Sequence, residues 1–242
     1  MGKVEEVLVK VKVDGYGEVI LELNEELDVV KELIKKIPFS SKVEVWKEEI
    51  YFRTPLSGIG GETCLKVDKG SVALWPPGRA LCIFYGISQP YTPIVPIGEV
   101  VGPLHTLSEL SQGVEVRVES YQDDEGLPLE LRRRGLCAAR RIRGGEESVV
   151  VNLKVKGFTL RFEAYEEEYG IPIEGEPLFK WQHDYSSISA LRRIKEAIKD
   201  PEVRIDINEE GYLVLSSYAK EVGQVIKVLS SLAQAYLKVL NL

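Results

Sequence analysis

The chain opens with two segments in which apolar and polar residues alternate. Residues 7–13 alternate valine and leucine with lysine, and residues 19–23 alternate again. Between them lies Asp14-Gly15-Tyr16-Gly17, which has the aspartate and glycine typical of tight turns. A period of two marks a strand with one buried face. The pattern therefore predicts a β-hairpin.

A helical pattern follows the hairpin. Asn24 is expected to cap this helix, and Pro38 is expected to end it. Apolar residues repeat at i, i+3, i+4 and i+7, as on one face of a helix: Val30, Leu33, Ile34 and Ile37.

Residues 42–101 change to short apolar segments separated by glycine and proline. Seven of the twelve prolines lie between Pro55 and Pro103, too many for helices. The capping box Thr106-Leu107-Ser108-Glu109 predicts a second, short helix. The predicted strands are 43–46, 50–53, 71–75, 80–85, 97–101 and 114–118. So many strands around two helices favour a closed β-barrel over residues 1–120.

The second half of the chain has a different pattern. Residues 121–147 are rich in charge and predict an arginine-rich connection between two domains. Beyond it we expect a hairpin (149–155 and 158–162), a helix (187–198), two strands (203–207 and 212–215) and a long helix (218–240). The order β-β-α-β-β-α predicts an α+β sandwich over residues 148–242. The expected fold class is mostly β plus α+β.

The last predicted helix is apolar over a wide arc. Val228, Leu237 and Val239 extend its stripe beyond what one small sheet could cover. We therefore expect this helix to contact the barrel or a second copy of the chain. A homodimer is the commonest form of the latter.

Composition narrows the functional classes. The net charge of −7 is opposite to that of a general nucleic-acid binder. Glutamate outnumbers aspartate 30 to 8, and Asn and Gln together number ten, a bias typical of thermophiles. No apolar run approaches the ~20 residues of a membrane helix. We expect a thermophile's protein that is cytoplasmic and has no membrane contact.

Metal and cofactor chemistry have little support. Three scattered cysteines and two histidines make a metal site unfavourable, so none is predicted. No glycine-rich phosphate loop follows a strand, so no cofactor is predicted. Cys64 and Cys82 could form a disulfide, but a buried free thiol is the simpler expectation for Cys82. His183 and Asp184 resemble part of an acid–base pair, but no nucleophile stands beside them.

A cluster of arginines could hold phosphates, because a guanidinium suits bidentate phosphate contact. The acidic run that includes Glu163, Glu166, Glu167 and Glu168 could instead neutralise it in a charge network. The negative total charge favours the network over nucleic acid. The arginines are Arg132, Arg133, Arg134, Arg140, Arg141 and Arg143.

Several separated motifs resemble a known family. Residues 75–86 read Trp-Pro-Pro-Gly-Arg-Ala-Leu-Cys-Ile-Phe-Tyr-Gly, and further matches lie at 23–26, 36–39, 49–55 and 97–101. In this order, with the third match made by 49–52 and 54–55 and not by Arg53, they resemble the small cyclophilin-like proteins of thermophilic bacteria and archaea, over residues 4–119. The resemblance implies a cyclophilin-type β-barrel capped by two helices. Residues 121–242 resemble no family that we recognise.

The resemblance does not extend to a complete isomerase site. Cyclophilins carry a Phe-His-Arg motif, and the chain has Phe52-Arg53 without the histidine. The strand expected to supply their glutamine reads Ala80, Leu81 and Cys82, none of which has a side-chain amide. This departure leans against an enzyme, although Arg53 alone could still polarise an amide. A prolyl isomerase or another enzyme that uses Arg53 is therefore the alternative.

Four residues form the candidate ligand site. Tyr51 and Arg53 share one face of a strand and could bind an anion or a carbonyl group, while the alternative for Arg53 is a surface ion pair. Trp75 and Arg79 flank the rigid Pro76-Pro77-Gly78 loop, although Trp75 could simply end a core strand. We predict a module that binds a small molecule or a peptide segment. An arginine-mediated scaffold for nucleic acid or protein is the third interpretation.

Overall fold

The computed structural model describes residues 6–123 and 125–241. The chain divides into two compact units. The N-terminal unit runs up to Asp123 and also contains Arg141–Glu146, whereas the C-terminal unit contains the chain between them and everything from Glu147 onward. The predicted domain bounds and the start of the family resemblance also include residues 1–5, Asp124 and Leu242, which lie outside the described residues.

The N-terminal unit is mainly antiparallel sheet. Its elements are β1 (Glu6–Val13), β2 (Gly17–Asn24), α1 (Asp28–Ile34), β3 (Phe39–Lys42), β4 (Glu44–Trp46), β5 (Glu49–Arg53), β6 (Ser71–Trp75), β7 (Ala80–Phe84), β8 (Val95–Val101), a 3-10 turn (His105–Glu109) and β9 (Glu115–Ser120). Neighbouring strands pair in the order β4-β5-β7-β6-β8-β2-β1-β9-β3, and the sheet includes a half-barrel. The hairpin and the strands predicted from alternation are confirmed.

The core of this unit is built by alternate residues of each strand. Ile50 and Phe52 of β5 are buried, and the β7 residues Leu81 and Ile83 join them in the same cluster. The intervening residues therefore face the other side of the sheet. That outer side carries the candidate site.

Both predicted helix caps are wrong. Helix α1 begins after Leu27, and the Asn24 side chain instead accepts a hydrogen bond from the Glu26 amide, at 2.9 Å. The 3-10 turn begins after Leu104. Thr106 is buried, and its hydroxyl lies 2.7 Å from the Tyr16 hydroxyl. In both cases the side-chain oxygen bonds a group other than the helix amide that it was predicted to cap.

The C-terminal unit combines sheet and helices. Its elements are α2 (Gly126–Arg133), β10 (Cys137–Arg143, whose last three residues belong to the N-terminal unit), β11 (Glu146–Val155), β12 (Phe158–Ala164), β13 (Ile171–Gly175), β14 (Phe179–Lys180), α3 (Tyr185–Ala197), β15 (Arg204–Ile207), β16 (Tyr212–Ala219) and α4 (Val222–Leu240). The strands pair antiparallel as β11-β12-β13-β16, and β14 and β15 also pair with β16. Helix α4 packs against β12, β13 and β16.

Some of these elements differ from the predicted set. The segment 121–147 contains a helix and a strand, and β13 and β14 add two strands to the predicted order. Helix α4 begins at Val222 rather than at residue 218, because β16 continues to Ala219 and pairs with β13. The predicted boundaries and the sandwich arrangement remain predictions.

The wide apolar arc of α4 is covered by the C-terminal unit itself. Val228 and Leu237 are each only 5% exposed and belong to the same buried cluster as Leu229, and Val239 is partly buried against that cluster. The reason for expecting a second copy on this helix is therefore gone, and a homodimer through α4 remains a prediction without that support. Of the helices described, none is both long and apolar enough to span a membrane.

Candidate functional site

The site lies on the outer face of three neighbouring strands. Tyr51 of β5 is in register with Cys82 of β7, and Arg53 is in register with Ala80. On the other side of β7, Ala80 pairs with Trp75 of β6. Residues opposite one another on antiparallel strands share a face. The small residues of β7 thus separate Tyr51 and Arg53 from Trp75.

Arg53 and Arg79 line one cavity of about 440 Å³. Both side chains are exposed at its edge. Its other lining residues are Thr54, Pro55, Leu56, Ser57 and Gly78, so no carboxylate of the described residues lines it. The two predicted arginines are therefore brought together.

Neither guanidinium of this cavity has an ion-pair partner among the residues that the structure describes. Other arginines of the chain do have one: Arg117 binds Glu119 at 2.7 Å, and Arg133 binds Glu130 at 3.2 Å. The surface ion pair considered for Arg53 is thus not formed within the described chain. The two unneutralised guanidinium groups therefore give the cavity a positive charge.

The backbone of Arg79 is held in the left-handed region, with φ of +49°. The Thr54 amide and hydroxyl both donate to the Arg79 carbonyl oxygen, at 2.8 and 3.0 Å. The Arg79 amide donates to the Pro76 carbonyl at 3.2 Å. This conformation is uncommon for a residue with a side chain. The hydrogen bonds therefore fix the start of the Arg79 side chain relative to β5.

Trp75 forms the wall behind the cavity rather than its lining. Its ring lies so close to Gly78 that a Cβ atom added there would overlap it. The indole N–H donates to the Thr92 hydroxyl at 2.8 Å, and the ring meets Tyr51 edge to face, with centroids 6.0 Å apart. The four predicted residues thus form two pairs, Arg53 with Arg79 and Tyr51 with Trp75. Gly78 lines the cavity of the first pair and packs against the Trp75 ring of the second.

Sequence reasoning missed a buried acid beside this site. Glu49 is 6% exposed, shares the face of β5 with Tyr51, and forms a side-chain hydrogen bond with Cys82. Burial raises the pKa of the Glu49 carboxyl. Burial, and after it the charge of Glu49, raises the pKa of the Cys82 thiol. Cys82 is therefore a buried, protonated thiol, as expected for a free cysteine.

Arginines of the cluster at residues 132–143 form ion pairs and hydrogen bonds within the chain. Arg140 pairs with Glu147 at 2.6 Å and with Glu166 at 2.9 Å. Arg132 donates to the Ala138 carbonyl at 3.0 Å, and Arg141 is 2% exposed. These contacts favour the charge network, since a phosphate-binding surface needs accessible guanidinium groups.

The pair His183 and Asp184 has a structural position. The indole N–H of Trp181 donates to Nδ1 of His183 at 3.3 Å. Asp184 caps α3, because its carboxylate accepts a hydrogen bond from the Ser187 amide at 2.8 Å, which lowers the pKa of Asp184. Across residues 6–123 and 125–241, no three His, Cys, Asp or Glu side chains are placed to hold a metal ion.

The comparisons with known proteins concern the N-terminal unit. Residues 7–119 match the model of the cyclophilin-like family. This domain is cyclophilin-like. The match confirms the resemblance predicted for residues 4–119 over the part that it covers, and it leaves the C-terminal half of the chain unmatched. No curated protein matches the chain.

Two solved structures are similar to about half of the chain. The hypothetical protein AF2241 from Archaeoglobus fulgidus, known from a solution structure, is 28% identical, with a TM-score of 0.42 over 50% of this chain and 100% of that one. McbB, solved in complex with tryptophan, is 20% identical, with a TM-score of 0.41 over 49% of this chain and 46% of its own.

The cyclophilin-like domain lacks an amide beside its arginine. Ala80 lies opposite Arg53, and Cys82 lies opposite Tyr51. Leu81, between them, is fully buried in the core. None of the three can hydrogen-bond a peptide backbone as a glutamine side chain would.

Proposed function

We propose that the cyclophilin-like domain is a binding module whose ligand, a small molecule or a peptide segment, sits at the cavity between Arg53 and Arg79. One observation carries this proposal: two arginines line one cavity, and among the described residues no carboxylate lines it or forms an ion pair with them. Concave surfaces with a few convergent polar groups are where proteins bind small ligands.

Rigidity of the surroundings supports the same function. Pro55 lines the cavity, Pro76 accepts the hydrogen bond of the Arg79 amide, and Trp75 packs on Gly78. A site that is ordered before its ligand arrives loses less conformational entropy on binding. Tyr51 and Trp75 support the cavity from behind, where they contact each other rather than the ligand.

The proposed module binds without catalysis. Cys82, which lies in register with Tyr51, is kept protonated by burial and by Glu49, so it is a poor nucleophile. Arg53 is a hydrogen-bond donor only and cannot act as a general base. A prolyl isomerase that uses Arg53 is the competing function, and its turnover would distinguish it from binding alone.

We also propose that the barrel of the N-terminal unit is closed. The two ends of the strand order, β3 and β4, are consecutive along the chain and separated by Val43 alone. The Val43 amide donates to the Val114 carbonyl, and its carbonyl accepts from the Gly113 amide. A closed barrel would hold β5 and β7 rigidly in register beneath the site.

A ligand screen with matched variants tests the proposal. The full chain is screened by thermal shift against small molecules and short proline-containing peptides, beside the double variant Arg53→Met, Arg79→Met. Arg193→Met, an exposed arginine of α3 in the other unit, is the control. We expect hits that stabilise the wild type and the control but not the double variant. Hits that stabilise all three proteins equally, or no hit at all, would contradict the proposed site.

A further inference from the structure

The cavity of Arg53 and Arg79 differs in charge from a larger cleft of the N-terminal unit. That larger cleft, of about 1000 Å³, is lined by both signs of charge: Lys12, Asp14, Glu18, Glu115 and Arg117. There Lys12 and Arg117 each pair with Glu119, at 2.9 and 2.7 Å. Among residues 6–123 and 125–241, the charged residues that line the cavity of Arg53 and Arg79 are these two arginines alone. A concave surface with one sign of charge attracts ligands of the opposite sign.

The backbone of Arg79 adopts the left-handed conformation, as do those of Lys47 and Lys156, and Arg79 also lines the cavity. A left-handed conformation costs an ordinary residue free energy that glycine avoids. The described residues offer the Arg79 side chain no ion pair in return. A strained residue next to a concave surface is a common mark of a functional position.

The available donors match an oxyanion. Each guanidinium presents five N–H donors in a planar fork, which suits the two oxygens of a carboxylate or phosphate group. Thr54 already donates its hydroxyl to the Arg79 carbonyl, whereas Ser57 lines the cavity with an exposed hydroxyl. Leu56 and Pro55 supply the apolar part of the wall.

We infer that the ligand of this cavity carries an oxyanion, a carboxylate or a phosphate group, which Arg53 and Arg79 hold together by charge-assisted hydrogen bonds. This inference rests on the proposed binding function of the cavity. It specifies the chemical class that the module selects, because an oxyanion would supply the counter-charge that the described residues do not give to these two guanidinium groups.

Arginine side-chain NMR on the full chain tests this directly. The Nε–H resonances of Arg53 and Arg79 are followed while acetate or inorganic phosphate is added at constant ionic strength. We expect saturable shifts at both arginines with at least one anion. A response to phosphate alone assigns a phosphate-bearing ligand, a response to acetate alone assigns a carboxylate, and a response to both assigns the shared oxyanion chemistry.

The variant Arg79→Gly separates binding from folding, since glycine adopts this backbone conformation without strain. Lys156→Gly is the matched control: it has φ of +50° and the same charge, and it lies in the C-terminal unit. We expect Arg79→Gly to weaken anion binding about tenfold or more, with no fall in melting temperature, and Lys156→Gly to leave binding unchanged.

Two results would overturn the inference. One is the absence of saturable shifts at Arg53 and Arg79 with either anion. The other is anion binding that Arg79→Gly leaves intact. If a neutral ligand from the screen binds this cavity equally well in Arg79→Gly, the binding function stands and only the oxyanion class fails. If nothing binds at the cavity, both proposals fail.

Discussion

Glu163 and Glu174 lie directly opposite one another on the adjacent strands β12 and β13. Glu163 is buried, and Ser148 donates a hydrogen bond to it at 2.5 Å. Burial, followed by the charges of Asp206 and Glu163, raises the pKa of Glu174 to about 7. The C-terminal unit therefore contains a carboxyl group that titrates near neutral pH in the folded state.

This raised pKa predicts a pH-dependent stability. The pKa of Glu174 in the folded state exceeds its usual value of 4.5. The protonated carboxyl therefore contributes fully to the free energy of unfolding below pH 4.5, and this contribution is lost as the pH rises through about 7. Glu174→Gln should raise the free energy of unfolding at pH 8 by about 1–2 kcal/mol, after allowance for solvent screening, with little effect at pH 4. Urea unfolding of the full chain at both pH values measures this.

The exposed residue Glu196 of α3 provides the control for this experiment. Glu196→Gln should change the unfolding free energy equally little at pH 4 and pH 8. A stabilisation by Glu174→Gln that is as large at pH 4 as at pH 8 would show that charge is not its cause.

The covered face of α4 predicts the effect of a charge at Leu237. This side chain is as buried as the core residue Leu229, within a few per cent of exposure. Both Leu237→Glu and Leu229→Glu should destabilise the C-terminal unit by about 3 kcal/mol or more, because each buries an unpaired carboxylate. Chemical denaturation measures the loss, with the exposed Lys238→Glu as the control. A Leu237→Glu protein of normal stability but smaller mass in light scattering would instead identify a dimer interface.

The contact between Trp75 and Gly78 predicts a steric effect. A methyl group at Gly78 would overlap the Trp75 ring, so Gly78→Ala should destabilise the cyclophilin-like domain by about 1–3 kcal/mol. Gly58→Ala is the control, because nothing lies within 4 Å of a Cβ atom there. Thermal unfolding followed by tryptophan fluorescence compares the two. Equal melting temperatures would mean that the loop moves freely away from the ring.

The missing amide beside Arg53 predicts that the chain does not catalyse prolyl isomerisation. Ala80 and Cys82 occupy the register positions opposite Arg53 and Tyr51, and neither can hold a substrate backbone as an amide would. The measured rate for a proline-containing peptide should equal the uncatalysed rate. Robust turnover that disappears in Arg53→Ala would establish the enzyme instead.

Much of the N-terminal fold follows from local pattern. Alternation placed Tyr51 and Arg53 on the face opposite Ile50 and Phe52, and the burial of those two residues agrees. The contact of Glu49 with Cys82 could not be predicted, because it depends on β5 lying next to β7 rather than next to β6. Strand order is a tertiary property that local periodicity does not encode.

The elements missed in the C-terminal unit have a common physical reason. In helix α2 the buried residue Leu127 lies between Gly126 and Pro128, and the buried residue Leu131 is followed by two arginines. Strand β13 contains Pro172, which argues against a strand, and Glu174, which lies on its polar face. In both elements, charged residues and proline interrupt the short apolar pattern from which a helix or a strand is predicted.

The position of a bound ligand tests the central claim most directly. The strongest hit of the screen is titrated into the full ¹⁵N-labelled chain, and the backbone amide shifts are mapped. Binding at the cavity predicts the largest shifts at residues 53–57 and 78–79, and their loss in the Arg53→Met, Arg79→Met double variant. The largest shifts at the mixed-charge cleft around Glu18, or in the C-terminal unit, would contradict the assignment of this cavity as the binding site.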